Sequence, residues 1–278
     1  MNQYEVKDHE PSLLPEGNWS LVWADEFDGN QLDTTKWRFR RHLFHKEHKA
    51  WIGEEGITLD GNSNLIFQRV KKDGRYYSSQ LQTGENWYDR PGVKETWDVA
   101  PFAKPLFQHR YGYYEVRCKL QREELWWSAF WLQSPNIGTH PDPRIAGVEV
   151  DVMESFYPGT VIPHFLHWGG YASDHRFATT MSEHRWAKRT DAIALAEDEF
   201  HRFGVLWEED GYTFFIDGKQ SGPKLTDAIS HTEQFILIGT ECKGYRENVP
   251  GVFLDEQGED TNTDQFIVDY VRVFDRVL

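Results

Sequence analysis

The chain has 278 residues, 39% of them hydrophobic, which is enough to bury the core of one large all-β domain. Its 45 acidic against 30 basic residues give a net charge of −15, which argues against nucleic acid and anionic membranes as partners, since both recruit a basic field. No run approaches the ~18 consecutive apolar residues of a membrane span.

The N-terminal stretch MNQYEVKDHEPSLLPEG has no basic start followed by an apolar run. It reads as an N-terminal extension over residues 1–17 and not as a signal peptide, leaving a cytoplasmic chain or a mature segment with an added Met. Period-two alternation then recurs to the end of the chain. The expected strands are Ser20–Trp23, Ile57–Leu59, Asn64–Val70, Gly112–Gln121, Ser128–Gln133, Val148–Glu154, Val161–His167, Arg202–Trp207, Tyr212–Ile216, Phe235–Thr240 and Gln265–Phe274. Asp60-Gly61-Asn62, Lys72-Asp73-Gly74 and Asp217-Gly218 are turn signals of the kind that join antiparallel strands. Only Asp191–Phe200 reads as helical. Many short strands with almost no helix imply a single all-β sandwich or barrel over 1–278. The polar stretches Glu85–Gln108, Pro135–Gly147, Ser173–Glu197 and Lys243–Asp264 are long for passive connections and are expected to wall a cleft. Cys118 falls on the apolar face of YGYYEVRCKL, and two Cys make no disulfide framework or CxxC pattern.

The segment Gly147-Val148-Glu149-Val150-Asp151-Val152-Met153-Glu154-Ser155 carries the chemistry. Three carboxylates on one strand are unusual, because strands disfavour acids and like charges repel. An odd spacing separates Glu149 from Glu154, so a regular strand would place them on opposite faces. A one-residue bulge near Val152–Met153 would return Glu154 to the face of Glu149. Two carboxyls roughly 5–5.5 Å apart are what a retaining glycosidase uses, and crowding should raise at least one pKa. The alternatives are a solvated acidic face or a calcium site.

With these elements in order, the sequence resembles glycoside hydrolase family 16. LVWADEFDGNQLDTTKW resembles its opening strand, and YGYYEVRCKL followed by WWSAFWLQ its paired central strands. GVEVDVMES is similar to its bulged ExDxxE signature, and FHRFGVLWEEDGYTFFIDG and IVDYVRVF to its closing strands. The resemblance implies a jelly-roll β-sandwich with a concave cleft and an endo-acting, retaining hydrolase of a β-linked polysaccharide. A β-1,3- or β-1,3/1,4-glucan is favoured and an agar-type galactan comes next. It also implies Glu149 as nucleophile, Asp151 as its helper, Glu154 as acid/base, Trp127 as a sugar platform, and His167 facing the cleft near the acid/base. No cofactor is expected for catalysis, but a structural Ca²⁺ on the convex side is, at positions matching Glu26 and Asp269. Two departures concern substrate identity. Arg144-Ile145-Ala146-Gly147 replaces a Trp-Pro pair, and Trp-Ser-Ala-Phe-Trp replaces Trp-Pro-Ala-Phe-Trp.

Further candidates come from residue type alone. Alternation puts Trp127 and Trp131 on one strand face and Trp126 on the other, and either face could be the one that meets sugar. His42, His45 and His48 invite a metal or sugar-gripping role, and a charged substituent could be read by Arg144, Arg176 or Arg185. Glu241, with Tyr245 and Arg246, could reach the cleft edge. The expected partner is a polysaccharide bound by a monomer. A lectin-like binder and a transglycosylase are the competing readings.

Overall fold

The computed structural model describes residues 2–73, 75–90, 103–124, 126–183, 185–196, 199–242 and 263–277. Two large antiparallel sheets face each other. Fifteen strands build them: β1 (Asn18–Asp25), β2 (Arg38–Phe39), β3 (Ile57–Leu59), β4 (Leu65–Phe67), β5 (Gln80–Gln82), β6 (Gly112–Lys119), β7 (Trp126–Gln133), β8 (Glu149–Ser155), β9 (Phe165–Trp168), β10 (Arg176–Thr179), β11 (His201–Glu208), β12 (Gly211–Ile216), β13 (Lys219–Gln220), β14 (Phe235–Cys242) and β15 (Phe266–Val277). One sheet runs β10-β9-β8-β7-β14-β5-β2, and the other β13-β12-β11-β6-β15-β4-β3, with β1 also on β15. This is the expected sandwich.

The core lies where the apolar faces meet. Val116 and Cys118 of β6, Phe130 and Leu132 of β7, Val150 and Val152 of β8, and Val268 and Val271 of β15 pack into one cluster. Alternation makes this possible, because each strand presents every second residue to the partner sheet. Cys118 behaves as the small hydrophobe expected, fully buried. At the turn signals, the Asp60 carboxylate accepts from the backbone N–H of Asn62 and Asn64 between β3 and β4. Between β12 and β13, Asp217 and Gly218 both adopt positive φ, as a tight hairpin turn demands.

Two expectations need correction. The described residues of the expected helix Asp191–Phe200 are not helical: a short 3₁₀ turn covers Arg189–Asp191 and a strand covers Ile193–Ala194, which pairs with Thr160–Val161. The α-helix among the described residues is Pro143–Ala146, started by the Asp142 cap on the N–H of Arg144 and by Pro at its first turn. Residues 1–17, expected as an N-terminal extension, carry structure of their own. Asn2–Tyr4 and Ser12–Leu14 form a hairpin, with Leu14 buried against Tyr113, Leu206 and Phe274. This hairpin lies on the outer face of β6, where alternation alone would leave Glu115 in water. Instead Glu115 is fully buried, accepting from the N–H of Leu13 at 3.2 Å and the hydroxyl of Tyr270 at 2.8 Å. Beside it, Arg272 donates to the Glu10 carbonyl and the Ser12 hydroxyl.

Candidate active site

The strand β8 is the centre of the site, and its entry is set by Gly147. This glycine has φ +84°, and a Cβ there would stand 2.1 Å from the Cβ of Ser134. Along β8 the pairing with β7 slips. Phe130 opposes Met153 but Trp131 opposes Asp151, so Val152 has no partner on β7. This is the predicted bulge. Its signature is that consecutive residues Val152 and Met153 both enter the core. The extra residue reverses the parity of the strand beyond it, so Glu149, Asp151 and Glu154 all line one cleft.

That cleft has a volume of about 470 Å³ and crosses the concave sheet from Arg40, beyond β2, to Trp186, beyond β10. Six strand spacings separate the outer strands, roughly 29 Å at the usual inter-strand distance. Small residues form the middle of its sheet, where Ala129 of β7 lies opposite Gly239 of β14. Arg40 lies over the rings of both Trp51 and Trp131, 4.9 Å from each, and pairs with Asp89. At the other end Trp186, 58% exposed, stacks on Phe177, with ring centres 4.8 Å apart.

Each carboxylate has its own partners. Glu149 Oε2 accepts from Gln133 Nε2 at 2.6 Å and from the Tyr171 hydroxyl. Asp151 faces His167 Nε2 at 3.2 Å, and the other ring nitrogen of His167 meets His175 at 3.1 Å. Glu154 Oε1 accepts from the indole N–H of Trp127 at 3.1 Å. Burial pushes the Glu149 carboxyl up to about 7, aided by the neighbouring Asp151 charge and opposed by His167 and Tyr171. Burial also pushes Asp151 up to about 8. Glu154 is raised well above the ordinary carboxylate range by burial and then by Asp151. Burial is the first cause at all three, so each carboxyl keeps its proton to higher pH than a solvated one.

Other expected residues fall on both sides of the line. Trp127 and Trp131 line the cleft, whereas Trp126 points the other way and is 1% exposed, so it is not a sugar contact. His167 lines the cleft but contacts Asp151, not Glu154, the expected acid/base. Glu241 lines it too, opposite Trp127 on β14 and 3.8 Å from His48. His48 in turn stacks on Trp51, while His42 lies in the short hairpin His42–Leu43/Lys46–Glu47 and His45 at its turn, so the three do not converge as metal ligands. Arg144 is exposed and held by Asp142, outside the cleft. Arg176 is exposed, and Arg185 is paired with Glu183 and Asp191. Tyr245 and Arg246 lie outside the described residues.

The calcium positions do not fit a cation. Glu26 accepts from Arg272 Nε at 2.9 Å and from its Nη2 at 2.7 Å, and Asp269, the bulged residue of β15, pairs with Arg117 at 2.5 Å. A guanidinium already neutralises each carboxylate. Among the described residues, one group approaches metal-ligand spacing, Glu149, Asp151 and His167, whose atoms lie within 4.8 Å of one another. There the donors on Glu149 and the Asp151–His167 contact give a hydrogen-bonded set.

A family model, the GH16 domain of β-porphyranases A–D, matches residues 19–276, nearly the whole chain. The chain belongs to glycoside hydrolase family 16. Relatives of this family 16 chain include glucan endo-1,3-β-glucosidase A1 of Niallia circulans, 26% identical over 72% of the chain. The chain spans 28% of that protein's length. β-Porphyranase B of Zobellia galactanivorans is 24% identical over 84% of the chain and 78% of its own length. The fold is shared with the catalytic domain of an endo-1,3-β-glucanase from Thermotoga petrophila, at TM-score 0.62 and 21% identity, covering 95% of this family 16 chain and all of that one.

Sequence reasoning missed Arg40, Gln133, Tyr171 and Trp186 as parts of the site. Gln133 had a signal: it continues the alternation Trp127, Ala129, Trp131 on the cleft face of β7. Tyr171 and Trp186 come from connections that carry no periodicity.

Proposed function

We propose that the chain is an endo-acting, retaining hydrolase of a β-linked polysaccharide. The bulge at Val152 carries this reading, because it turns an acidic stretch of strand into three carboxylates on one cleft face. Glu149 attacks the anomeric carbon as the glycosidic bond breaks, and Glu154 gives its proton to the leaving oxygen. Water then attacks the glycosyl-enzyme with Glu154 taking its proton, and Glu149 departs as carboxylate. The raised Glu154 carboxyl supplies the protonated acid that the first step needs. Asp151, between the two and paired with His167, modulates the charge of both. An aromatic cleft that crosses the whole sheet suits an internal cut in a long chain.

For the substrate, β-1,3- or β-1,3/1,4-glucan is favoured and an agar-type galactan comes next. The names of the glucanase relatives support the first, and the porphyranase family model supports the second. The test is release of reducing ends from laminarin, mixed-linkage glucan, agarose, porphyran and κ-carrageenan, with Glu149→Gln as control. Activity on one member, absent in the folded control with unchanged melting, is the expected result. A folded and fully active Glu149→Gln protein would sink the nucleophile assignment. Tight glycan binding without turnover would favour the lectin-like reading.

A further inference from the structure

We infer that Gln133 and Tyr171 are positioning residues that hold one oxygen of Glu149, Oε2, and so leave Oε1 as the attacking atom. The inference deepens the proposed reaction and rests on Glu149 being its nucleophile. Both described donors converge on that same oxygen. Neither is a stray surface contact, because Gln133 is fully buried and Tyr171, in the connection after β9, lines the cleft.

What fixes the direction of the Gln133 amide is a chain of groups without a free choice. The backbone N–H of Asp89 can only donate, and it meets Asn86 Oδ1 at 2.9 Å. The amide nitrogen of Asn86 must then face the other way, where it donates to Asp89 Oδ2 at 3.2 Å and to Gln133 Oε1. With its oxygen committed to Asn86, Gln133 has only its NH₂ group left to present to Glu149. At the root, Arg40 pairs with the Asp89 carboxylate and holds it as an acceptor. The ion pair therefore orients, through two buried amides, the donor that meets the nucleophile. The two amide protons of Gln133 are shared among Glu149 Oε2, the Tyr171 hydroxyl at 2.6 Å and the Tyr88 hydroxyl at 2.9 Å, and the Tyr171 hydroxyl in turn donates to Glu149 Oε2.

The chemical consequence falls on both steps. In the free enzyme, two donors on Oε2 favour the carboxylate, against the burial that raises its pKa. In the glycosyl-enzyme, Oε1 is bonded to the sugar and Oε2 is the ester carbonyl oxygen. Donation to it withdraws charge and makes Glu149 a better leaving group when water attacks.

Tyr171→Phe removes one donor with little change of shape, and Gln133→Met removes the other. Reducing-end release from laminarin, agarose and porphyran, measured from about pH 4 to pH 9, should show the acid limb moved up by about one unit. The same variants should lose about tenfold to a hundredfold in kcat, the range for a hydrogen bond to a charged group, with KM within about twofold. A purely structural role would lower kcat or melting and leave the acid limb in place in both variants, and that result would overturn the inference. Titration of ¹³C-labelled glutamate by NMR gives a readout that needs no turnover. In Tyr171→Phe, Glu149 should titrate about one unit higher. Silence of the wild type on all three polysaccharides counts against the proposed activity, while the titration still decides on the two donors.

Discussion

Trp127→Phe separates two roles that one side chain combines. The indole lies in the cleft against Phe156, ring centres 4.7 Å apart, and its N–H donates to Glu154 Oε1 at 3.1 Å. Phenylalanine keeps most of the flat surface and loses only the donor. A hydrogen bond to an ionised group contributes about 1.5–3 kcal/mol, and about 1.4 kcal/mol corresponds to one pKa unit. Glu154 is partly open to the cleft, so the lower figure applies and the shift is about one unit. The sign depends on which form accepts the bond. The donor stabilises the carboxylate, so its loss raises the pKa of Glu154 further. Glu154 must be protonated when the leaving group departs, so the basic limb of kcat/KM should move up by about one unit. Reducing-end assays across pH on the panel polysaccharide that responds would read it, with Trp127→Ala as the variant that also loses the stacking surface and raises KM. A basic limb that stays put or moves down in folded Trp127→Phe would refute the reasoning.

The crowded strand gives two more tests. Asp151→Asn should lose activity yet gain stability at high pH. The carboxyl is raised from an ordinary value of 3.8 to about 8, so its contribution to stability is full below pH 3.8 and is lost as pH rises through 8. Thermal melts should therefore favour the variant at pH 8 and converge toward pH 4, and a less stable variant at pH 8 would contradict the assignment. Deleting Val152 removes the unpaired residue and turns Glu154 toward the core, where an unpaired carboxylate costs several kcal/mol. The deletion should lose both melting temperature and turnover, whereas Val152→Ala, which keeps the residue count, should stay active.

Much of this is legible in the sequence where a period exists. The strands that carry the core alternate plainly, and the parity conflict between Glu149 and Glu154 is enough to call for a bulge. Legibility fails where contacts are made by side chains distant in sequence. Nothing local to Gln133 or Tyr171 announces that they meet Glu149, because the meeting is set by how β7, β8 and the connection after β9 come together. The direction of Trp126 against Trp127 stays open in the sequence for the same reason: alternation gives two faces but not which is covered. Glu26 and Asp269 show the opposite failure. Their type and position suit a cation, but Arg272 and Arg117 neutralise them, and both arginines lie far from their partners in the chain.

The hairpin on the outer sheet face ties segments more than 250 residues apart into one event. Residues 10–13 meet Glu115 on β6, Arg202 on β11, and Tyr270 and Arg272 on β15. A ribosome makes the first of these long before the last, so the N-terminal segment has no finished surface to dock on until β15 has been synthesised. Leu14 gains its contact with Phe274 only once β15 is in place, so that strand acts as a latch for the hairpin. Closure of the outer face therefore waits on β15, the same strand that gives Val268 and Val271 to the core.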